Sequence, residues 1–463
     1  MKNIFICLLL IVSGTVYSQN INSVFNSAFA KFAQDADLKH ATISLFVVNT
    51  TTGKPVTEIN TQTGLAPAST QKIITSATAY ALLGKDYTYK TTLGYTGTLT
   101  NGLLNGNIVI KGSGDPTLGS WRYDKTKEEN VISYFKNAIS QAGIKQITGH
   151  VITDTDLWSG EVTPDGWIWQ DIGSYYGAGA RALNWHENQY DLLLSSGEKI
   201  NDPVTIVETI PSFIVGLPLK SMATSAAKGT GDNTYIYFPF AKEYGSVRGT
   251  IPAGESKFKI SGATPHPEKQ LAIALESALK NIDQEKIGSE SFNLPPAEKP
   301  TYFYSYSSPT LDSISYWFLK KSINLYGEAF IKTLGYETYQ SGETDKGVEA
   351  VQNFWKKQNI DPYAINIMDG SGLSPANRIT TESLVQVLLY AKKQSWFPGY
   401  FDGFPVINGI KMKSGSIKDV LAYTGFISSK NNDEYAFAFI INNYYGNGNA
   451  MRKKMWKLLD ELK

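Results

Sequence analysis

Residues 65–79 read Leu65-Ala-Pro-Ala-Ser69-Thr-Gln-Lys72-Ile-Ile-Thr-Ser-Ala-Thr-Ala79, and the rest of the chain is organised around them. Pro67 and its small neighbours favour a turn, and the apolar run Ile73 to Leu83 predicts a helix after it. Residues three apart share a helix face, so Ser69 and Lys72 lie side by side. A lysine desolvated there sheds its proton and becomes a base for the serine hydroxyl. Ser69 then sits at a helix N-terminus, where free N–H groups and the helix dipole favour developing negative charge. The spacing alone decides little, because Ser-x-x-Lys also begins at Ser133, Ser196, Ser225, Ser256 and Ser277.

Two later motifs, in order, give it weight. Ser322-Ile323-Asn324 falls between predicted helices 311–320 and 325–334. There a short loop either caps the helices or points both polar side chains into a cleft. In the second case Ser322 relays protons, and Asn324 serves substrate and Lys72 as donor and acceptor. Lys413-Ser414-Gly415-Ser416 ends a predicted strand and is the only Lys-[Ser/Thr]-Gly in the chain. A lysine and a hydroxyl on a strand edge, with Gly415 permitting close approach, suit a carboxylate and an added extended backbone. An edge lysine followed by a turn accounts for the same residues structurally.

The flanking sequence supplies the compartment. Lys2, the apolar run Ile4–Val12 and Val16-Tyr17-Ser18 before Gln19 form the pattern of a secretory signal over residues 1–18, which implies a periplasmic destination. Cys7 lies inside that run, so the exported chain has no disulfide, thiol nucleophile or cysteine-bound metal. It carries 42 basic and 42 acidic residues, a balance that argues against nucleic acid as partner. No later stretch is apolar enough for a transmembrane segment. His40, His150, His186 and His266 show no ligand spacing, so no catalytic metal and no cofactor are expected. No histidine accompanies a Gly-x-Ser-x-Gly elbow, which disfavours a Ser-His-Asp hydrolase.

Along the chain, a helix from Ile21, strands at 41–49 and 56–59 and the Ser69 helix form a coherent opening. From 87 to 300 the texture becomes β-rich: strands near 90–97, 107–111, 149–153, 204–209, 235–238 and 257–261, with helices near 128–142 and 269–280. Helical periodicity returns from Ser308, followed by strands at 409–413, 422–428 and 435–442. The final helix, with apolar residues at 451, 455, 458, 459 and 462, packs on those strands or lies on a membrane surface. Asp369 to Thr380 reads as a turn-rich loop with Thr380 as helix N-cap, and Lys111-Gly-Ser-Gly-Asp-Pro-Thr117 as a turn after a strand. The expected architecture is α/β (α+β). A discontinuous catalytic domain, 19–86 with 301–463, is interrupted by a β-rich insertion, 87–300, of two nested domains.

Ser-x-x-Lys, Ser-x-Asn and Lys-[Ser/Thr]-Gly in this order resemble the motif set of penicillin-binding proteins and serine β-lactamases. Ser69 and Ser322 are 253 residues apart, far more than in β-lactamases, while Ser322 and Lys413 are 91 apart, typical of the superfamily. The chain thus resembles the class C low-molecular-mass penicillin-binding proteins, the D-alanyl-D-alanine carboxypeptidase/endopeptidase family. Val109–Leu118, Ile147–Val151, Tyr175–Ala178, Ala182–Asn184, Asp369–Ser374 and Asn377–Ile379 carry the likeness further. Ser414 stands where that family more often has threonine, and Ile323 where it often has aspartate.

The resemblance implies a serine β-lactamase/transpeptidase-like domain acting on peptidoglycan stem peptides, with β-lactams as covalent inhibitors. Ser69 is then the nucleophile, Lys72 the base, Ser322 the relay and Asn324 the orienting amide. Lys413 and Ser414 hold the terminal carboxylate, with Gly415 beside them, and the N–H groups of Ser69 and Ser416 form the oxyanion hole. A peptidoglycan-binding scaffold or sensor with weak catalysis, and a β-lactamase or esterase on the same fold, remain alternatives at this stage. Oligomeric state is not legible.

Overall fold

The two ends of the chain meet in one sheet. The computed structural model describes residues 21–158, 160–281, 284 and 298–463; the expected leader, residues 1–18, lies outside them. Six antiparallel strands run in the order Val406–Ile407, Ile410–Ile417, Val420–Ser428, Glu434–Asn442, Thr42–Asn49, Pro55–Ile59. Thr42–Asn49 pairs with the C-terminal strand along its whole length, from Thr42 opposite Asn442 to Asn49 opposite Tyr435.

Both faces of this sheet are buried, which explains why its strands read as near-continuous apolar runs. The period of two still sorts the side chains. Leu45, Val47, Phe437 and Phe439 face the terminal helices Ile21–Ala33 and Gly448–Asp460; Phe46, Val48, Ala436 and Ala438 face the helical layer of the site. Met451, Met455, Leu458, Leu459 and Leu462 are all buried in the first of these cores, so the last helix packs on the sheet. Among the described residues no helix is long and apolar enough to cross a membrane.

The helix Lys72–Leu83 is enclosed: every residue from Lys72 to Tyr80 is buried. Its polar positions are therefore paired, as burial demands. Thr75 Oγ1 donates to the Gly370 carbonyl at 2.7 Å, Ser76 Oγ meets Ser315 Oγ at 2.6 Å, and Trp355 Nε1 donates to Thr78 Oγ1 at 2.8 Å. Helices Leu311–Lys321, Asn324–Tyr339 and Thr381–Lys392 surround it.

Between Tyr87 and Ser307 lie further sheets. One has the order Thr301–Ser307, Lys90–Tyr95, Ile108–Lys111, Val151–Asp154 and is covered by helices Glu128–Gln141 and Pro267–Lys280. A second places Gln189–Ser196 between Val204–Ile210 and Phe258–Ala263, and a third centres on Gly245–Pro252. The two central strands, Gln189–Ser196 and Gly245–Pro252, were not expected. Leu192-Leu193-Leu194 suits a helix as well as a strand, and Gly245, Gly249 and Pro252 give the other the composition of a loop. Thr301–Ser307 also pairs with Lys90–Tyr95, so the strand just past residue 300 shares a sheet with strands expected in the insertion.

Candidate active site

The turn that carries Ser69 is built tightly. Residues Ala68–Gln71 form a single 3-10 turn that runs straight into the helix at Lys72. Ala68 adopts φ 46°, in the left-handed region that a residue with a Cβ occupies at a cost of about 1–3 kcal/mol. Such strain persists only where the surroundings hold it. Here Thr70 Oγ1 donates to the Pro67 carbonyl at 2.7 Å, and Gln71 Nε2 donates to the Asp369 carbonyl at 2.5 Å and to its Oδ1 at 3.0 Å. Ser69 is left partly exposed, on the wall of a cleft of about 640 Å³.

Lys72 is fully buried, and its amine has three partners: Ser69 Oγ at 2.9 Å, Asn324 Oδ1 at 2.7 Å and the Ser371 carbonyl at 2.7 Å. Burial lowers its pKa to about 7, against the opposing pull of the Asp369 and Glu328 carboxyls. A large share of the amine is therefore neutral at neutral pH, hydrogen-bonded to the serine hydroxyl. Lys413 is also buried, and desolvation followed by the Lys72 charge holds it well below the ordinary lysine range.

Asn324 opens the helix Asn324–Tyr339, yet its side chain caps nothing. Oδ1 accepts from Lys72, while Nδ2 donates to the Tyr176 carbonyl at 2.7 Å. Ser322 takes the left-handed position (φ 59°) that ends the preceding helix and lines the cleft with Ser69. The loop therefore delivers both polar residues to the cleft.

Lys413 to Ser416 lie on the strand Ile410–Ile417, beyond the reach of the short outer strand Val406–Ile407. The Met412 N–H donates outward to the Pro405 carbonyl at 2.9 Å. Backbone groups alternate along a strand, so the N–H groups of Ser414 and Ser416 also point to that open edge. Gly415 packs on the turn that carries Ser69: a Cβ there would meet Pro67 O at 2.6 Å and the nitrogens of Ser69 and Thr70 at 2.9 Å. Ser69 and Ser416 both line the cleft. Lys413 Nζ donates to the Ser414 carbonyl at 2.8 Å, and the Ser416 hydroxyl accepts from Arg452 at 3.0 Å.

Sequence reasoning missed the role of the loop after Met368. Thr380 is the expected N-cap, accepting from the Ser383 N–H at 3.1 Å, but the loop does more. Asp369 is fully buried and accepts five hydrogen bonds from uncharged donors: Gln71 Nε2, Gly372 N, Ser374 N, Asn377 Nδ2 and Trp167 Nε1. Gly372, at φ 82°, lies so close to the Ala68 carbonyl that a Cβ would stand 2.0 Å away. The available signal was an aspartate set among glycines and serines in Asp369-Gly-Ser-Gly, a turn able to wrap its backbone N–H groups round its own carboxylate. Trp167 carried no sequence signal for its bond to Asp369, and Tyr176 entered only through the family likeness of Tyr175–Ala178, which did not place its carbonyl on Asn324.

A buried lysine bonded to a partly exposed serine is an arrangement in which a serine hydrolase can use lysine where others use histidine. Residues 25–409 match the D-Ala-D-Ala carboxypeptidase 3 (S13) family, and the chain belongs to that family. Among its relatives are the D-alanyl-D-alanine carboxypeptidase DacB of Haemophilus influenzae, 24% identical over 84% of this chain and 83% of that one. The D-alanyl-D-alanine carboxypeptidase of an Actinomadura species is likewise 24% identical, over 89% of this chain and 80% of its own. The crystal structure of penicillin binding protein 4 from Haemophilus influenzae has the same fold: TM-score 0.77, 21% identity, covering 94% of this chain and 98% of that one.

Proposed function

We propose that this protein is a serine D-alanyl-D-alanine carboxypeptidase and/or endopeptidase that trims peptidoglycan stem peptides through an acyl-enzyme on Ser69. One observation carries the reading: the Lys72 amine, its pKa lowered to about 7 by burial, is hydrogen-bonded to Ser69 Oγ at 2.9 Å. Family membership and the names of the relatives support the substrate class.

Ser69 Oγ attacks the carbonyl carbon of the penultimate D-alanine while Lys72 takes the hydroxyl proton. The tetrahedral oxyanion lies between the Ser69 and Ser416 N–H groups; each such donor is worth about 3–4 kcal/mol in the transition state. Lys413 and Ser414 hold the terminal carboxylate, and the open edge at Ser414 and Ser416 pairs with the substrate backbone. As the C–N bond breaks, Ser322 relays a proton to the leaving amine. Water then attacks the ester and frees Ser69. Asn324 keeps Lys72 and the substrate amide in line.

The strand pairings support a catalytic unit of residues up to about 86 and from about 308, with the insertion between them and residues 301–307 assigned to the insertion. The pattern in residues 1–18 supports export to the periplasm.

The test is intact-protein mass after incubation with benzylpenicillin, for wild type and Ser69→Ala. A persistent adduct of penicillin mass on wild type alone is expected. Intact drug with no adduct would point instead to a binding scaffold, and hydrolysed drug with no adduct to a β-lactamase.

A further inference from the structure

Four residues after Asn324, on the same face of its helix, Glu328 lies fully buried beside Lys72. Its Oε2 accepts the Gly370 N–H at 3.0 Å, and Thr75 fixes the Gly370 carbonyl from the nucleophile helix at 2.7 Å. The next residue, Ser371, presents the carbonyl that takes the Lys72 amine. Asn324 thus grips Lys72 directly, and Glu328 grips it through the loop.

The other half of the carboxyl is unusual. Glu328 Oε1 and Ser371 Oγ are both buried with no partner in hydrogen-bonding geometry, yet the hydroxyl is near enough to favour the ionised carboxyl. Asp369 faces Glu328 from the loop, Lys72 from the nucleophile helix, and Lys332 from its own helix. Lys332 is committed to the Glu161 carbonyl at 2.8 Å, while Lys413 acts on Lys72 from the strand side. Burial, then Asp369, raises the Glu328 carboxyl to about 8, so below that pH the neutral acid predominates. A proton on Oε1 gives both orphaned atoms a partner, with the acid donating to Ser371 Oγ. A second carboxylate beside Asp369 would instead hold Lys72 protonated and unfit as a base.

We propose that Glu328 is a positioning residue acting as a neutral hydrogen-bonding clamp: Oε1–H donates to Ser371 Oγ, Oε2 holds the Gly370 N–H, and the loop so fixed keeps the Ser371 carbonyl on the Lys72 amine. The clamp rests on Lys72 being the base of the reaction proposed above.

The test is the second-order rate of benzylpenicillin acylation, read by intact mass from about pH 5.5 to about 9, for wild type, Glu328→Gln and Glu328→Ala. Glutamine reproduces one acceptor and one donor without charge. It is expected to stay within about threefold of wild type near pH 7, with the acid limb unmoved. Alanine frees the loop and is expected to lose about tenfold or more, with a lower melting temperature. If the alanine variant does not fold, the glutamine profile alone decides. Glutamine as slow as about tenfold below wild type, an acid limb shifted downward by glutamine, or alanine at the wild-type rate would each overturn the clamp. A wild-type profile with no acid limb would remove Lys72 as the base and the clamp with it, which separates the two failures.

Discussion

Replacing Asp369 by asparagine separates two things the carboxylate does. Oδ1 accepts from Gln71 Nε2 at 3.0 Å, Gly372 N at 2.8 Å and Asn377 Nδ2 at 2.9 Å, whereas Oδ2 accepts from Ser374 N at 2.7 Å and Trp167 Nε1 at 2.9 Å. Asparagine has a single acceptor oxygen. Its least damaging orientation keeps that oxygen on the three-donor side and turns its NH2 toward the Ser374 and Trp167 donors. Two buried N–H groups then lose their acceptor, at about 1–3 kcal/mol each, so the variant should be less stable by about 2–6 kcal/mol. The second effect is electrostatic. Asp369 raises the Lys72 pKa against the larger effect of burial; without the charge it falls further below about 7. More of the amine is then neutral at a given acidic pH, so the acid limb of the acylation profile moves to lower pH. Urea unfolding and penicillin acylation against pH measure the two effects separately. A variant within about 1 kcal/mol of wild type, with its acid limb unmoved, would refute both the five-donor account and the coupling to Lys72.

Wild-type acylation by benzylpenicillin should rise with pH through about 7, because Lys72 must lose a proton before it accepts one from Ser69; a second-order rate constant flat over that range would exclude Lys72 as the base. Gly415→Ala sets a methyl against backbone atoms of the nucleophile turn, which have no rotamer to yield. The strand must retreat from Ser69, and acylation should fall about 10- to 100-fold with a loss of about 1–3 kcal/mol in stability, measured by the same two assays.

The parts of the site that were legible in the sequence share a property: each motif holds its partner residues at a spacing that local geometry converts into contact. Ser69 and Lys72 meet because a helical turn brings residues three apart together. Ser322 and Asn324 enter the cleft because a short junction between two helices leaves them no other place. Lys413 to Ser416 face an open edge because the outer strand begins only at Val406, opposite Lys411. Asp369 was readable as a turn but not as the counter-charge of Lys72: the donors at 372, 374 and 377 are local to the loop, but those at 71 and 167 reach it only in the fold. The same limit hid the strands Gln189–Ser196 and Gly245–Pro252, whose residues are chosen by neighbours on either side rather than by a local period.

The region expected as an insertion also bears on the Lys72 amine. Asn324 has one oxygen and one NH2, and only the oxygen suits an amine that must donate to it. The Tyr176 carbonyl, from the insertion, takes the NH2 and so turns the oxygen toward Lys72. Trp167, nine residues earlier, donates to Asp369 and helps hold the charge that opposes the desolvation of Lys72. Remove these two contacts and Asn324 is free to present its NH2 to the lysine, and Asp369 Oδ2 keeps only one of its two donors, Ser374 N. Both changes act on the same amine, the first on its position and the second on its proton affinity. The segment from Trp167 to Tyr176 therefore acts on the Lys72 amine through Asn324 and Asp369, although it touches neither Ser69 nor Lys72 through any hydrogen bond found among the described residues.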